Sequence, residues 1–252
     1  MKKNALAIFA HPDDAEIVCS GTLSLLSKTG WSVTIATMTP GDKGTMKLSR
    51  DEISRIRRAE ASRSAALIGA SYHCLEFEDI YIFFNRETIN KTTALIRKID
   101  PDIVFTSPLE DYMLDHIMTG RIVQTACFSA GIKNMEVQEK PVKQTPHLYY
   151  CDPIEGKNIF GNNVHPSMYV DVTDEMPLRE KMLACHESQR SWLKEHNKMD
   201  EYILSMKRFA RQRGIECGTK YAEGFTQHTG HGFPQSNILK TELDRWVSIR
   251  NL

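Results

Sequence analysis

The sequence carries no net charge: 32 Lys+Arg balance 32 Asp+Glu over 252 residues. An even balance argues against a general electrostatic grip on nucleic acid or acidic lipid, leaving only local patches for such work. No run approaches the roughly 18–20 apolar residues that span a bilayer, so no membrane span is expected. The apolar run Ala5–Ala10 is too short for the core of a signal peptide and breaks into charged residues, so the expected location is cytoplasmic. The six cysteines, Cys19, Cys74, Cys127, Cys151, Cys185 and Cys217, include no C-x-x-C pair. Buried thiols in a reducing compartment are the simplest reading of that scatter. Glycine-rich phosphate loops are also missing. The loop after the first predicted strand lacks G-x-G-x-x-G, and the chain has no G-x-x-x-x-G-K-[ST], so a nucleotide cofactor has little support.

What is present is an alternation of strand and helix patterns. Ala5–Ala10, Ser32–Met38, Tyr72–Phe77 and Asp102–Ser107 read as short buried strands, and His147–Asp152 and Met168–Val172 as later ones. Helices are predicted over Ala15–Lys28, Asp51–Leu67, Arg86–Ile99, His116–Gly131, Glu175–Leu193 and Met199–Arg213. The tail from Ile215 has weak periodicity until Asn237–Ile249. Such alternation implies βαβ units and an α/β fold: a Rossmann-like, doubly wound, mostly parallel sheet with helices on both faces. With 41% hydrophobic residues and no evident linker, the chain reads as one domain over 1–252. Residues 1–131 would form the core, and 132–252 would extend the sheet and cover the site.

In open parallel sheets ligands bind at the carboxyl ends of the strands, where strand order reverses. His11-Pro12-Asp13-Asp14-Ala15-Glu16 follows the first strand, and the loop after the fourth ends in Asp115-His116. With the order 3-2-1-4-5 these two loops face one another. Three carboxylates within six residues repel unless a cation sits among them. Imidazole with carboxylate suits zinc, which in catalytic sites keeps three protein ligands and a position for water. His11 and Asp14 offer two ligands and His116 a third, and a turn fixed by Pro12 leaves one carboxylate free to take a proton. The plainer alternatives are that Asp13 and Asp14 merely cap a helix, and that Arg57 and Arg58 lie on a solvated face beside Glu52 and Glu60.

The segment Ala10-His11-Pro12-Asp13-Asp14-Ala15-Glu16 resembles the signature of the LmbE/PIG-L-like zinc-dependent N-deacetylases. The resemblance continues at Thr39-Pro40-Gly41-Asp42-Lys43-Gly44-Thr45, at Arg57-x-x-Glu60, at Leu67-x-Gly69 and at Asp115-His116. It is fainter at His186-x-Ser188-Gln189 and Tyr221-Ala222-Glu223-Gly224-Phe225. It covers roughly the first 130 residues well and the remainder loosely. It implies a zinc hydrolase removing an N-acetyl or related acyl group from an amino sugar such as N-acetylglucosamine, or from a sugar conjugate. His11, Asp14 and His116 match the family's Zn2+ ligands and Asp13 its general base. Arg57 and Asp79 match substrate contacts, although the family usually has a glycine where Ile80 follows Asp79. Members often form homo-oligomers.

One departure stands out. Many members carry H-P-D-H in the fourth loop, where this chain has Met113-Leu114-Asp115-His116. The family's first histidine is assigned to oxyanion stabilisation or to protonation of the leaving amine, and methionine has no such donor. His228, His165 and Arg57 are candidate replacements, and Asp115 is a candidate to orient a donor from behind. Two rival functions remain open from sequence. One is a non-catalytic zinc protein that binds sugars or thiol conjugates. The other is a magnesium-dependent phosphotransfer module.

Overall fold

The computed structural model describes residues 2–190 and 202–250. Its strands are β1 (Asn4–Phe9), β2 (Ser32–Thr37), β3 (Ser71–Cys74), β4 (Ile103–Thr106), β5 (His147–Cys151), β6 (Met168–Asp171), β7 (Ala222–Gln227) and β8 (Val247–Ile249). They form one sheet in the order β3-β2-β1-β4-β5-β7-β6-β8. β1 reads as an uninterrupted apolar run because both faces of the sheet are covered. Its Ala5, Ala7 and Phe9 pack on one side with Leu23, Leu26 and Met182. Its Leu6 and Ile8 pack on the other with Ile96, Ile122 and Val123, as the two-residue period of a strand requires.

The expected mostly parallel sheet is corrected to a mixed one. β1–β2, β2–β3, β1–β4 and β4–β5 pair parallel. β5–β7, β6–β7 and β6–β8 pair antiparallel. Each antiparallel pair includes β7 or β8; β7 comes from the part of the tail that reads as weakly periodic, and β8 closes the segment Asn237–Ile249. β7 is hidden from propensity because Glu223 and Gly224 suit strands poorly. Both are there for tertiary reasons. A Cβ on Gly224 would lie 2.1 Å from Asp152 Oδ2. The Glu223 carboxylate accepts from the amides of Gly21 and Thr22, each at 2.8 Å, and pairs with Arg179 at 3.1 Å.

That contact also explains a second difference. The expected helix Ala15–Lys28 is two helices, α1 (Asp14–Val18) and α2 (Ser20–Lys28), broken at Cys19 with φ −147° and ψ 6°. The break frees amides at the start of α2, and Glu223 receives them. Next come α3 (Arg50–Ala66), α4 (Arg86–Ile99), α5 (Leu114–Ser129) and α6 (Met176–Ala184). α3 starts at a reciprocal cap between Ser49 and Glu52. The end of the predicted helix Glu175–Leu193 and the start of Met199–Arg213 lie outside the described residues. The described part of the latter is the helix Tyr202–Cys217. Strand order reverses between β1 and β4, so the loops after these strands meet at the carboxyl rim.

Candidate functional site

Beyond β1 the chain turns at Pro12, and Asp13 takes a left-handed conformation, φ 110° and ψ −23°. That conformation is strained for a residue with a Cβ, and it sends the neighbouring carboxylates in different directions. Asp14 turns back on the loop and accepts from the His11 amide at 2.9 Å. Asp13 makes no side-chain capping bond, so capping does not explain it. Its carboxylate accepts from the Tyr202 hydroxyl and lies 3.6 Å from Arg57 Nη2. Arg57 is buried and donates to the carbonyls of Pro12 (2.8 Å) and Gly41 (3.3 Å). It therefore does not sit on a solvated face, whereas Arg58 does and pairs with Glu76.

α5 starts in the facing loop and brings His116 to Asp14. Asp14 Oδ2 lies 3.6 Å from His11 Nδ1, and Asp14 Oδ1 lies 3.4 Å from His116 Nε2. Ligands about 2.1 Å from a tetrahedral zinc stand roughly 3.4 Å apart, so these spacings suit a shared cation. Ligand atoms of His11, Asp14 and His116 all fall within 4.8 Å of one another, and the three residues are buried. Each imidazole also has a carboxylate behind it. His11 Nε2 faces Asp79 Oδ1 at 3.0 Å and Asp115 Oδ2 at 3.4 Å. His116 Nδ1 faces Asp111 Oδ1 at 3.0 Å. Metal-binding histidines usually have such a partner on the far nitrogen, which fixes ring and tautomer. The residues therefore fit a divalent cation, with two imidazoles favouring zinc over an all-oxygen magnesium site.

The electrostatics agree. Burial works against charge on every one of these groups. The His116 imidazole is nonetheless raised to about 10, because Asp14 and Asp111 outweigh the burial. His11 is raised well above its ordinary value by Asp115, Asp14 and Asp79 against the same opposition. Asp14 is held well below the carboxylate range, burial being outweighed by His116 and His11. Asp13 goes the other way: burial raises it, and the Arg57 charge only partly offsets that. The pair Asp13/Asp14 thus divides into a committed anion and a carboxylate readier to accept a proton.

Above this cluster is a cavity of about 730 Å³ whose lining includes His11, Asp13, Asp14, Arg57, Asp79 and His116. The same wall carries Met113, Ile80, Tyr112, Gln189 and Tyr202. Ile80 takes φ 74°, and its amide donates to Asp115 Oδ2 at 2.7 Å. A β-branched side chain is disfavoured in that conformation, which accounts for the glycine common there in the resembling family. Asp115 therefore sits behind His11, not beside a donor at Met113. His228 lies apart from the cavity lining, with its Nδ1 3.1 Å from the Tyr150 hydroxyl and its ring 4.1 Å from Phe233. His165 is exposed and also outside the lining. Sequence reasoning passed over Asp111 and Tyr202. Asp111 had a signal, standing five residues before His116 in the same loop. Tyr202 had none, since it reaches Asp13 across 189 residues.

A family profile described as PIG-L, GlcNAc-PI de-N-acetylase, matches residues 6–127. The diacetylchitobiose deacetylase of Thermococcus kodakarensis is 28% identical over 229 residues, covering 88% of this chain and 82% of that one. Among solved structures, the N,N'-diacetylchitobiose deacetylase of Pyrococcus horikoshii superposes with TM-score 0.76 at 28% identity, over 94% of this chain and 88% of the other. The 4-carboxy-2-hydroxymuconate hydratase of Pseudomonas putida gives TM-score 0.78 at 22% identity, over 93% and 98%, which shows a shared fold.

Proposed function

The chain belongs to the PIG-L, GlcNAc-PI de-N-acetylase, family, and on that premise we propose that it is a zinc-dependent hydrolase removing an N-acetyl group from an amino sugar or its conjugate. The observation that carries this reading is the buried His11–Asp14–His116 cluster with Asp13 beside it at the floor of the cavity. His11, Asp14 and His116 would hold the cation. Once bound, it supplies Lewis acidity, making a water more acidic and polarising the amide carbonyl. Asp13, whose affinity for a proton is raised by burial, takes the proton of the attacking water. Asp111 holds His116, while Asp79 and Asp115 hold His11. Arg57 fixes the Pro12–Asp13 turn through its bond to the Pro12 carbonyl. A cavity of about 730 Å³ has the size of sites for drug-sized ligands and leaves room for an aglycone beside the sugar.

Met113 favours one second reading. Water addition to an unsaturated acid would draw on the same residues but expels no amine, and the proton collected by Asp13 would pass to the substrate carbon. Assay of acetate release from N-acetylglucosamine, diacetylchitobiose and their glycosides, with metal removed and restored, tests the main reading. The expected result is zinc-restored acetate release that Asp13→Asn abolishes while keeping its zinc. Turnover by Asp13→Asn at the wild-type rate overturns the base assignment, and water addition without acetate release favours the second reading.

A further inference from the structure

A hydrolase of this kind must protonate the amine it expels, and Met113 provides no donor for that step. The replacements suggested by sequence do not supply it either. His228 and His165 lie outside the cavity lining. Arg57 is tied to two backbone carbonyls and does not give up a proton at physiological pH. Lys43 lines the cavity but is held by Glu78 at 2.7 Å. Tyr202 is different. Its hydroxyl donates to Asp13 Oδ2, so it adjoins the group that collects the water's proton. It also faces the cavity: Tyr202, Ser205 and Met206 all line it, and their i, i+3, i+4 spacing places them on one side of the helix Tyr202–Cys217.

We propose that Tyr202 is a catalytic residue that hands its hydroxyl proton to the leaving amine and is reprotonated by Asp13. The inference rests on the hydrolase reading above. Water adds to the amide carbon as its proton passes to Asp13. The C–N bond then breaks with its electron pair going to nitrogen, nitrogen takes the Tyr202 proton, and the Tyr202 oxygen takes the one held by Asp13. Acetic acid and amine leave, and both residues return to their starting forms.

The test compares two leaving groups in wild type and Tyr202→Phe, with zinc content measured for both proteins. An N-acetylglucosamine glycoside expels a basic amine that needs a proton, whereas 4-nitrophenyl acetate expels a phenolate that does not. The expected result is a fall in kcat of about 100-fold on the glycoside, within the range of general acid catalysis, against a change under about threefold on the ester, with zinc content unchanged. Equal losses on both substrates would show that Tyr202 only supports the site and would overturn the proposal. No loss on the glycoside would overturn it too. If wild type cleaves the ester but no acetamido sugar, the reading as an amino-sugar N-deacetylase itself fails.

Discussion

Replacing Asp111 by asparagine probes the cation site without touching a residue that would ligate the metal. The buried Asp111 Oδ1 accepts from both His116 Nδ1 and the Met113 amide, each at 3.0 Å. Asparagine keeps the shape and one acceptor oxygen, so both bonds can persist while the negative charge behind the imidazole is lost. A partner of this kind is worth 10–100-fold in metal affinity, or about 1.4–2.8 kcal/mol. Asp111→Ala removes the acceptor as well and strands the buried His116 donor together with the half-buried Met113 amide, adding roughly 1–3 kcal/mol of instability for the buried one. Competition with a chelator gives the zinc affinity, and urea unfolding gives the stability. The expected pattern is weakened zinc binding in both variants and a clear stability loss only in Asp111→Ala. If Asp111→Asn binds zinc as tightly as wild type, the carboxylate does not tune His116, and the reading of the site as two carboxylate-backed imidazoles fails.

Stability should depend on pH through His186, a fully buried imidazole 3.3 Å from Glu16. Burial opposes its charge, but Glu16 raises it above the ordinary value. Its contribution is therefore complete below about pH 6.5 and is lost as pH rises through the higher folded-state value. Urea unfolding from pH 6 upward should show this decline, and His186→Gln should make it shallower, leaving the share that the raised His11 and His116 contribute; an unchanged slope would contradict the assignment. Ile80→Gly should raise the unfolding free energy by up to about 1 kcal/mol, because it relieves a left-handed β-branched residue whose side chain is largely exposed; a lower thermal midpoint would argue otherwise. Glu223→Ala should destabilise by about 3–5 kcal/mol, since it leaves the buried Arg179 charge without its partner, and a near-neutral result in chemical denaturation would refute the role of Glu223 as the link between β7 and α2.

The first half of the chain is legible because its signals are local. Ala5–Ala10 and Ser32–Met38 are apolar runs of strand length, α4 matches its predicted bounds Arg86–Ile99, and α3 falls within a residue of its own. Four parallel strands then bring the His11 and His116 loops together by topology alone. β7 was not legible, because Glu223 and Gly224 answer to distant partners, the α2 amides and Asp152. The same kind of long-range contact explains the fainter resembling segments. Ser188 donates to Glu60 at 2.9 and 2.6 Å, and His186 lies against Glu16. Each of these pairs ties a residue of the first half to one far along the chain. Tyr202 at Asp13 belongs to the same class. Periodicity cannot reveal such pairs, since neither member is placed by its own neighbours in sequence.

The central claim is that His11, Asp14 and His116 together hold one catalytic zinc. Elemental mass spectrometry of purified wild type and His116→Ala, paired with acetate release from an acetamido sugar, tests it most directly. The account predicts about one zinc per chain in the wild type, with metal and acetate release lost together in the variant while the fold is retained. Wild-type protein that takes up no zinc on incubation, or a His116→Ala variant that keeps its full zinc and its activity, would contradict it.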